Sequence, residues 1–205
     1  MLDPDKNQEN GLSNIFIGKL YSEAIGAIIC TLFKKSKISV VYDKNVEAVA
    51  MKLIDCFSRA KLFSGMQQSI VASEKTKSMK TVEQILLWFD KHLVGRDDIV
   101  VSVGGGVTSD VVGFAASIWK RGIRWVNIPT TLLSMVDATI GGKTGVNYNH
   151  GKNLLGCFHK PSCVFIDYRF ILTLKDNVLA EGYAEAYKHY LLDADMQKCF
   201  KQEKC

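Results

Sequence analysis

The chain has 205 residues, 47% hydrophobic and 23% charged, with a formal net charge of +5. This is ordinary globular composition, enough for one full α/β domain with chain to spare. The lysines are spread out and form no basic run interleaved with aromatics, so an anionic small molecule is the expected partner and nucleic acid is not. Apolar runs such as residues 24–30 and 99–103 fall far short of the roughly 20 residues that cross a bilayer. The N-terminus (Met1-Leu2-Asp3-Pro4-Asp5-Lys6) lacks a basic start followed by an apolar stretch. A cytoplasmic protein is expected, with no membrane partner. The six cysteines (Cys30, Cys56, Cys157, Cys163, Cys199, Cys205) contain no C-x-x-C pair, which favours reduced thiols over a zinc knuckle or a redox dithiol.

Residues 1–14 are polar and aperiodic, a loose leader. A short strand is expected at 15–17. The spacing of Ile25, Ile28, Ile29, Leu32 and Phe33 predicts a helix over 21–33. A buried strand over 38–42 ends at Asp43, a helix follows over 46–57, and residues 69–72 read as extended. The 82–92 segment is an amphipathic helix with Ile85, Leu86 and Phe89 inward. A strand at 99–103 leads through a glycine cluster to a helix over 111–120. A strand over 123–128 is stopped by Pro129; a helix over 131–137 and a strand over 163–167 come next. Strands separated by helices predict a parallel sheet with crossover connections. From 176 to 196 the pattern is helical, with Leu179, Ala186, Tyr190 and Leu191 inward, which sets an expected boundary near Thr173.

Chemistry concentrates after the 99–103 strand, in Gly104-Gly105-Gly106-Val107-Thr108-Ser109-Asp110. A strand running through bare backbone into a helix start suits a pyrophosphate, which the free N–H groups of a helix N-terminus attract. The triplet is not the G-x-G-x-x-G fingerprint, and a tight structural turn is the alternative. Thr130-Thr131 reads either as a pair of hydroxyl donors to a ligand or as a helix cap after Pro129. Arg121, Lys143, Lys152 and Asn153 sit in glycine-rich loops, where long basic side chains can converge on an anion; taken singly, each is ordinarily a solvated surface residue. Lys143 is the hardest to dismiss, because Gly142 beside it implies tight backbone packing. Glu185 and Lys188 share one helix face, as a surface ion pair would.

Taken in order, Gly113-Phe114-Ala115-Ala116-Ser117, Lys120-Arg121-Gly122-Ile123-Arg124, Pro129-Thr130-Thr131-Leu132-Leu133, Val136-Asp137, Gly141-Gly142-Lys143-Thr144-Gly145-Val146-Asn147, Gly151-Lys152-Asn153 and Gly182-Tyr183-Ala184-Glu185-Ala186-Tyr187-Lys188 closely resemble the 3-dehydroquinate synthase family of sugar phosphate cyclases. The resemblance is dense from Gly104 to Lys188 and weaker back to Glu74-Lys75-Thr76-Lys77 and Asp43.

It implies a Rossmann-like NAD-binding α/β domain over 1–172, followed over 173–205 by the first helix of an α-helical metal and substrate domain. By resemblance, Asp43, Glu74, Lys77, Gly105, Gly106, Val107, Thr108, Ser109, Asp110, Thr130, Thr131, Asp137, Lys143, Lys152, Phe170, Ile171, Leu172 and Thr173 hold NAD. Arg121, Lys143, Lys152, Asn153 and Lys188 serve the substrate, and Glu185 is a ligand to a zinc or cobalt ion. His189, four residues after Glu185, reads as a bystander, because the family takes its two histidine ligands from further along the chain. The implied reaction converts 3-deoxy-D-arabino-heptulosonate 7-phosphate to 3-dehydroquinate and phosphate, with NAD restored each turnover, and the implied assembly is a homodimer. Zinc wants three protein ligands, so the expectation is a chain that stops before the rest of its metal site and has little synthase activity alone. Lys175 stands where the family usually has proline, and Val178 where it often has a carboxylate.

Overall fold

The computed structural model describes residues 14–138 and 141–193. The 1–13 part of the expected leader and the end of the 176–196 helical pattern lie outside the described residues. Strands β1 (Asn14–Gly18), β2 (Ile38–Asp43), β3 (Phe63–Ile70), β4 (Ile99–Gly104), β5 (Arg124–Pro129) and β8 (Cys163–Asp167) form one sheet in the order β1-β8-β5-β4-β2-β3. Every pairing in it is parallel. Helices α1 (Ser22–Leu32), α2 (Glu47–Arg59), α3 (Met79–Lys91) and α4 (Gly106–Ile118) cover its two faces, and α5 (Asp176–Leu192) ends the described chain. This is the parallel sheet that the alternation of elements predicts and the Rossmann-like α/β architecture that the resemblance implies.

The two faces follow from the period of the strand. All six residues of β4 are buried, as parallel strands covered on both sides require. Ile99, Val101 and Val103 point into one core with Ile25, Ile29, Leu53 and Phe57 of α1 and α2. Val100 faces the other core, with Ile85 and Phe89 of α3 and Val111, Val112 and Ala115 of α4. Phe57, Phe89 and Phe165 are fully buried, each stabilising the fold by about 1.5–3 kcal/mol relative to exposure. Ser78 caps α3, its hydroxyl accepting from the Thr81 N–H.

Three expectations need correction. The extended segment placed at 69–72 is an eight-residue strand, β3, which begins at Phe63; as a half-exposed edge strand it carries Ser64, Gln67 and Gln68, which masked its period. The helix expected over 111–120 starts at Gly106 and ends at Ile118, because its first turn is made of the glycine, threonine and serine that also mark loops. The helix expected over 131–137 is present, and it widens to π geometry at Ser134–Ala138. The glycine-rich segment around Lys143, Lys152 and Asn153 is an antiparallel hairpin, β6 (Lys143–Tyr148) with β7 (Gly151–Phe158), whose register pairs Gly145 with Gly156. Among the described residues, no helix is long and apolar enough to cross a membrane.

Candidate active site at the carboxyl edge of the sheet

From β2 the chain moves outward to β3, whereas from β4 it moves the other way, to β5. The carboxyl ends of β2 and β4 therefore flank a topological switch point, the crevice in which open α/β sheets bind ligands. Pairing of Tyr42 with Val103 brings Asp43 next to the triglycine turn. The first backbone bond of α4 runs from the Ser109 N–H to the Gly105 carbonyl at 3.1 Å, so the N–H groups of Gly106, Val107 and Thr108 have no partner within the helix. The Thr108 hydroxyl is buried and finds no hydrogen-bond partner. These are the features of an anion site.

Packing explains part of the same turn. A Cβ on Gly104 would come 2.6 Å from the Thr108 hydroxyl, and one on Gly105 would come 2.9 Å from the Thr131 methyl. Thr131 acts as the cap that formed the alternative reading: its hydroxyl accepts from the Ser134 N–H at 3.2 Å. Thr130 is buried, and its N–H donates to the Gly104 carbonyl at 2.9 Å, tying the end of β5 to the glycine turn. Asp43 is engaged locally, accepting from the Asn45 N–H at 3.0 Å.

A second group gathers around Lys77, which is buried at the end of the loop after β3. Its ammonium lies 2.5 Å from Asp110 Oδ2 and donates to Asn153 Oδ1 at 2.5 Å. Burial pushes the Asp110 carboxyl up, and Lys77 opposes that shift. Asn147 donates to Glu74 Oε2 at 2.9 Å and accepts from the Asn153 N–H at 2.9 Å. Asn153 itself has φ +54°, a left-handed conformation that asparagine tolerates.

Between this group and α5 opens a cavity of about 1060 Å³. Asp110, Asp137, Lys143, Asn153 and His189 supply its polar lining, and Ile17, Met135, Leu154, Phe158 and Ile166 its apolar wall. Gly182 docks α5 here, since any Cβ would come 2.5 Å from Leu132 Cβ and 2.7 Å from the Leu133 nitrogen. That docking brings donor atoms of Asp137, Glu185 and His189 within 4.8 Å of one another. Lys188 donates to Glu185 Oε1 at 2.6 Å and holds its carboxyl below the usual carboxylate range. His189 Nε2 lies 3.3 Å from the same oxygen and makes no hydrogen bond with it. Two carboxylates and an imidazole suit a zinc or cobalt ion.

A family profile described as 3-dehydroquinate synthase N-terminal matches residues 67–181. The chain belongs to the 3-dehydroquinate synthase family. It is 42% identical over 176 residues to the 3-dehydroquinate synthase of Methylacidiphilum infernorum, covering 86% of this chain and 49% of that protein. It is 52% identical over 122 residues to that of Pelagibacter ubique, covering 60% and 33%. The chain thus spans about half the length of the first of these relatives and a third of the second. Among solved structures, 2-epi-5-epi-valiolone synthase from Streptomyces hygroscopicus, with NAD+ and Zn2+ bound, matches with TM-score 0.71 and 33% identity over 84% of this chain and 48% of that one. A 2-deoxy-scyllo-inosose synthase complexed with carbaglucose-6-phosphate, NAD+ and Co2+ matches with TM-score 0.76 and 27% identity, over 87% and 48%.

Of the residues that the sequence resemblance implies for the site, the fold brings Asp110, Asp137, Lys143 and Asn153 to one cavity and sets Lys77 and Glu185 against it. Lys152 is exposed on β7. Phe170 and Ile171, in the turn Tyr168–Thr173 after β8, are partly buried against the apolar core, while Leu172 is 86% exposed. Arg121 does not converge with the other basic groups: it is exposed, follows α4, and precedes the start of β5, which pairs with the amino end of β4. Helix α4 runs back from the carboxyl edge of the sheet, so within one chain Arg121 lies at the opposite edge. His189, read as a bystander, shares a helix face with Glu185 and joins the donor group. Asn147, named in the Gly-Gly-Lys-Thr-Gly-Val-Asn run but given no role by the sequence, belongs to the network around Lys77.

Proposed function

We propose that this chain forms the NAD-binding part of a 3-dehydroquinate synthase, a carbon–oxygen lyase of aromatic amino acid biosynthesis in the shikimate pathway. The substrate would be 3-deoxy-D-arabino-heptulosonate 7-phosphate, and the products 3-dehydroquinate and phosphate. The observation that supports the reading best is the single cavity in which Lys143, Asn153 and Asp110 face His189, with Glu185 alongside. The switch-point crevice and the unpartnered Thr108 hydroxyl suit the pyrophosphate of NAD. Bound NAD would take and return a hydride, and a divalent metal would stabilise an alkoxide.

The chain's own residues hold and orient. Lys143, in the cavity wall, offers a positive charge to a carboxylate or phosphate, and Asn153 offers a side-chain amide fixed by Lys77. Asp110, with its carboxyl pushed up by burial, is joined to Asn153 through Lys77, whose ammonium contacts both. Glu185, kept ionised by Lys188, is ready to bind a cation. Fixing a flexible anionic substrate in one pose is the larger share of such catalysis. The reading carries with it a helical domain beginning near residue 173, a cytoplasmic location and a homodimer, with neither nucleic acid nor membrane as partner.

The test is calorimetric titration of the protein with NAD, with and without substrate, alongside an assay of phosphate release after addition of a helical half from a relative. Saturable NAD binding and restored phosphate release support the reading; no NAD binding overturns it. NAD binding without phosphate release would favour a nucleotide-binding remnant. A second enzymatic reading, another sugar phosphate cyclase, is favoured by the likeness to the valiolone and inosose synthases; a panel of sugar phosphates separates the two.

A further inference from the structure

Asn147 is outside every residue group that the sequence marks for cofactor or substrate, yet its backbone and side chain join the two. It sits where the β6 register shifts, between Val146 and Tyr148. Such an irregularity turns a residue out of the ladder and re-aims it. Its N–H donates to the Lys77 carbonyl at 2.9 Å, and it bridges to Ser78 in parallel. Its side-chain amide donates to Glu74 Oε2 at 2.9 Å, while its Oδ1 accepts from the Asn153 N–H at 2.9 Å. Lys77 closes the circuit by donating to Asn153 Oδ1.

We infer that Asn147 is a positioning residue that couples the Glu74–Lys77 loop to Lys152 and Asn153 at the start of β7, so that occupancy of the cofactor side sets the geometry of the substrate side. The inference rests on the NAD reading above for what occupies the loop. Asparagine is required because one side chain must donate to a carboxylate and accept from an amide at once, which neither aspartate nor serine at this reach does. Two segments that pack on different elements, β3 and the hairpin, are thereby held as one unit.

The experiment is amide hydrogen exchange at Asn153, read by NMR with and without NAD, in the wild-type chain, N147A and N147D. N147D has the size of asparagine and keeps the acceptor for the Asn153 N–H, but loses the donor and sets a carboxylate against Glu74. In the free protein, N147A is expected to speed Asn153 exchange about tenfold and N147D to leave it near wild type, as loss or retention of one hydrogen bond dictates. Addition of NAD is expected to slow Asn153 exchange in the wild type and not in N147D, whose NAD dissociation constant rises about tenfold, within the usual size of coupling between sites. Unchanged exchange in N147A, or NAD-induced slowing that persists in N147D, would overturn the coupling. Failure of the wild type to bind NAD sinks the functional reading instead, and the free-protein exchange of N147A still decides whether the clamp exists.

Discussion

Lys77 Nζ lies 2.5 Å from Asp110 Oδ2, with only 9% and 17% of the two side chains exposed, so the loop after β3 is pinned to α4 by a largely desolvated ion pair. Removing one partner of such a pair strands the other. K77M is expected to destabilise the protein by about 3–5 kcal/mol, and K77M/D110N to recover much of that loss because no buried charge remains unpaired. Urea denaturation of the four members of this cycle measures the coupling; a double variant as unstable as K77M would contradict it.

The same pair sets a pH dependence. The Asp110 carboxyl is raised by burial, against the opposing pull of Lys77. A raised native value means the folded state holds its proton longer than the unfolded one, so the Asp110 contribution is most favourable below the ordinary carboxylate range. It is lost as pH rises from that range through the raised native value, and it is flat above. Relative to D110N, the wild type is therefore expected to lose stability as pH rises across this acidic window. Chemical denaturation at several acidic pH values reads the difference, and an opposite slope would refute the assignment.

Gly182 decides whether α5 docks. A methyl group there would sit 2.5 Å from Leu132 Cβ and 2.7 Å from the Leu133 nitrogen, and backbone cannot yield as a flexible side-chain tip does. G182A is expected to lower stability by about 1–3 kcal/mol, the usual cost of overpacking, and to separate Glu185 from Asp137. Unaltered thermal unfolding would rule this out.

The donor group makes a prediction about metal. Co2+ titration followed by visible absorption is expected to show binding in the wild type and none in E185Q. H189F is expected to weaken binding by roughly 10–100-fold, the scale of loss when a metal-site partner is removed. Binding in H189F equal to wild type would return His189 to the bystander role its sequence position implies.

Burial pushes the Cys163 thiol up to about 12. Only the thiolate reacts with disulfide reagents, so at pH 8 in native buffer Cys163 is expected to stay unlabelled while the partly exposed Cys56 and Cys157 react. Peptide mapping after timed labelling checks this; rapid native labelling of Cys163 would show that β8 is not held in the core.

Much of this was legible in the residues themselves. The short apolar runs of 38–42 and 99–103, buried on both faces, the 3.6 spacing of α1 and α3, and the strand–glycine–helix succession at 99–110 are local patterns, and local patterns determine element type and the layering of a parallel sheet. What sequence could not supply is where distant segments meet. Lys143, Lys152 and Asn153 read as loop residues because glycine ordinarily marks loops, yet Gly145 and Gly156 pair across a hairpin, and only the partner strand reveals why both are small. Arg121 looked like part of a basic ring, but the direction of α4 carries it to the far edge of the sheet. His189 joined Asp137 and Glu185 only because Gly182 lets α5 rest on the turn after β5. Hydrogen bonds and ion pairs act over a few ångströms, so a site assembled from five segments exists as chemistry only after the chain has folded them together.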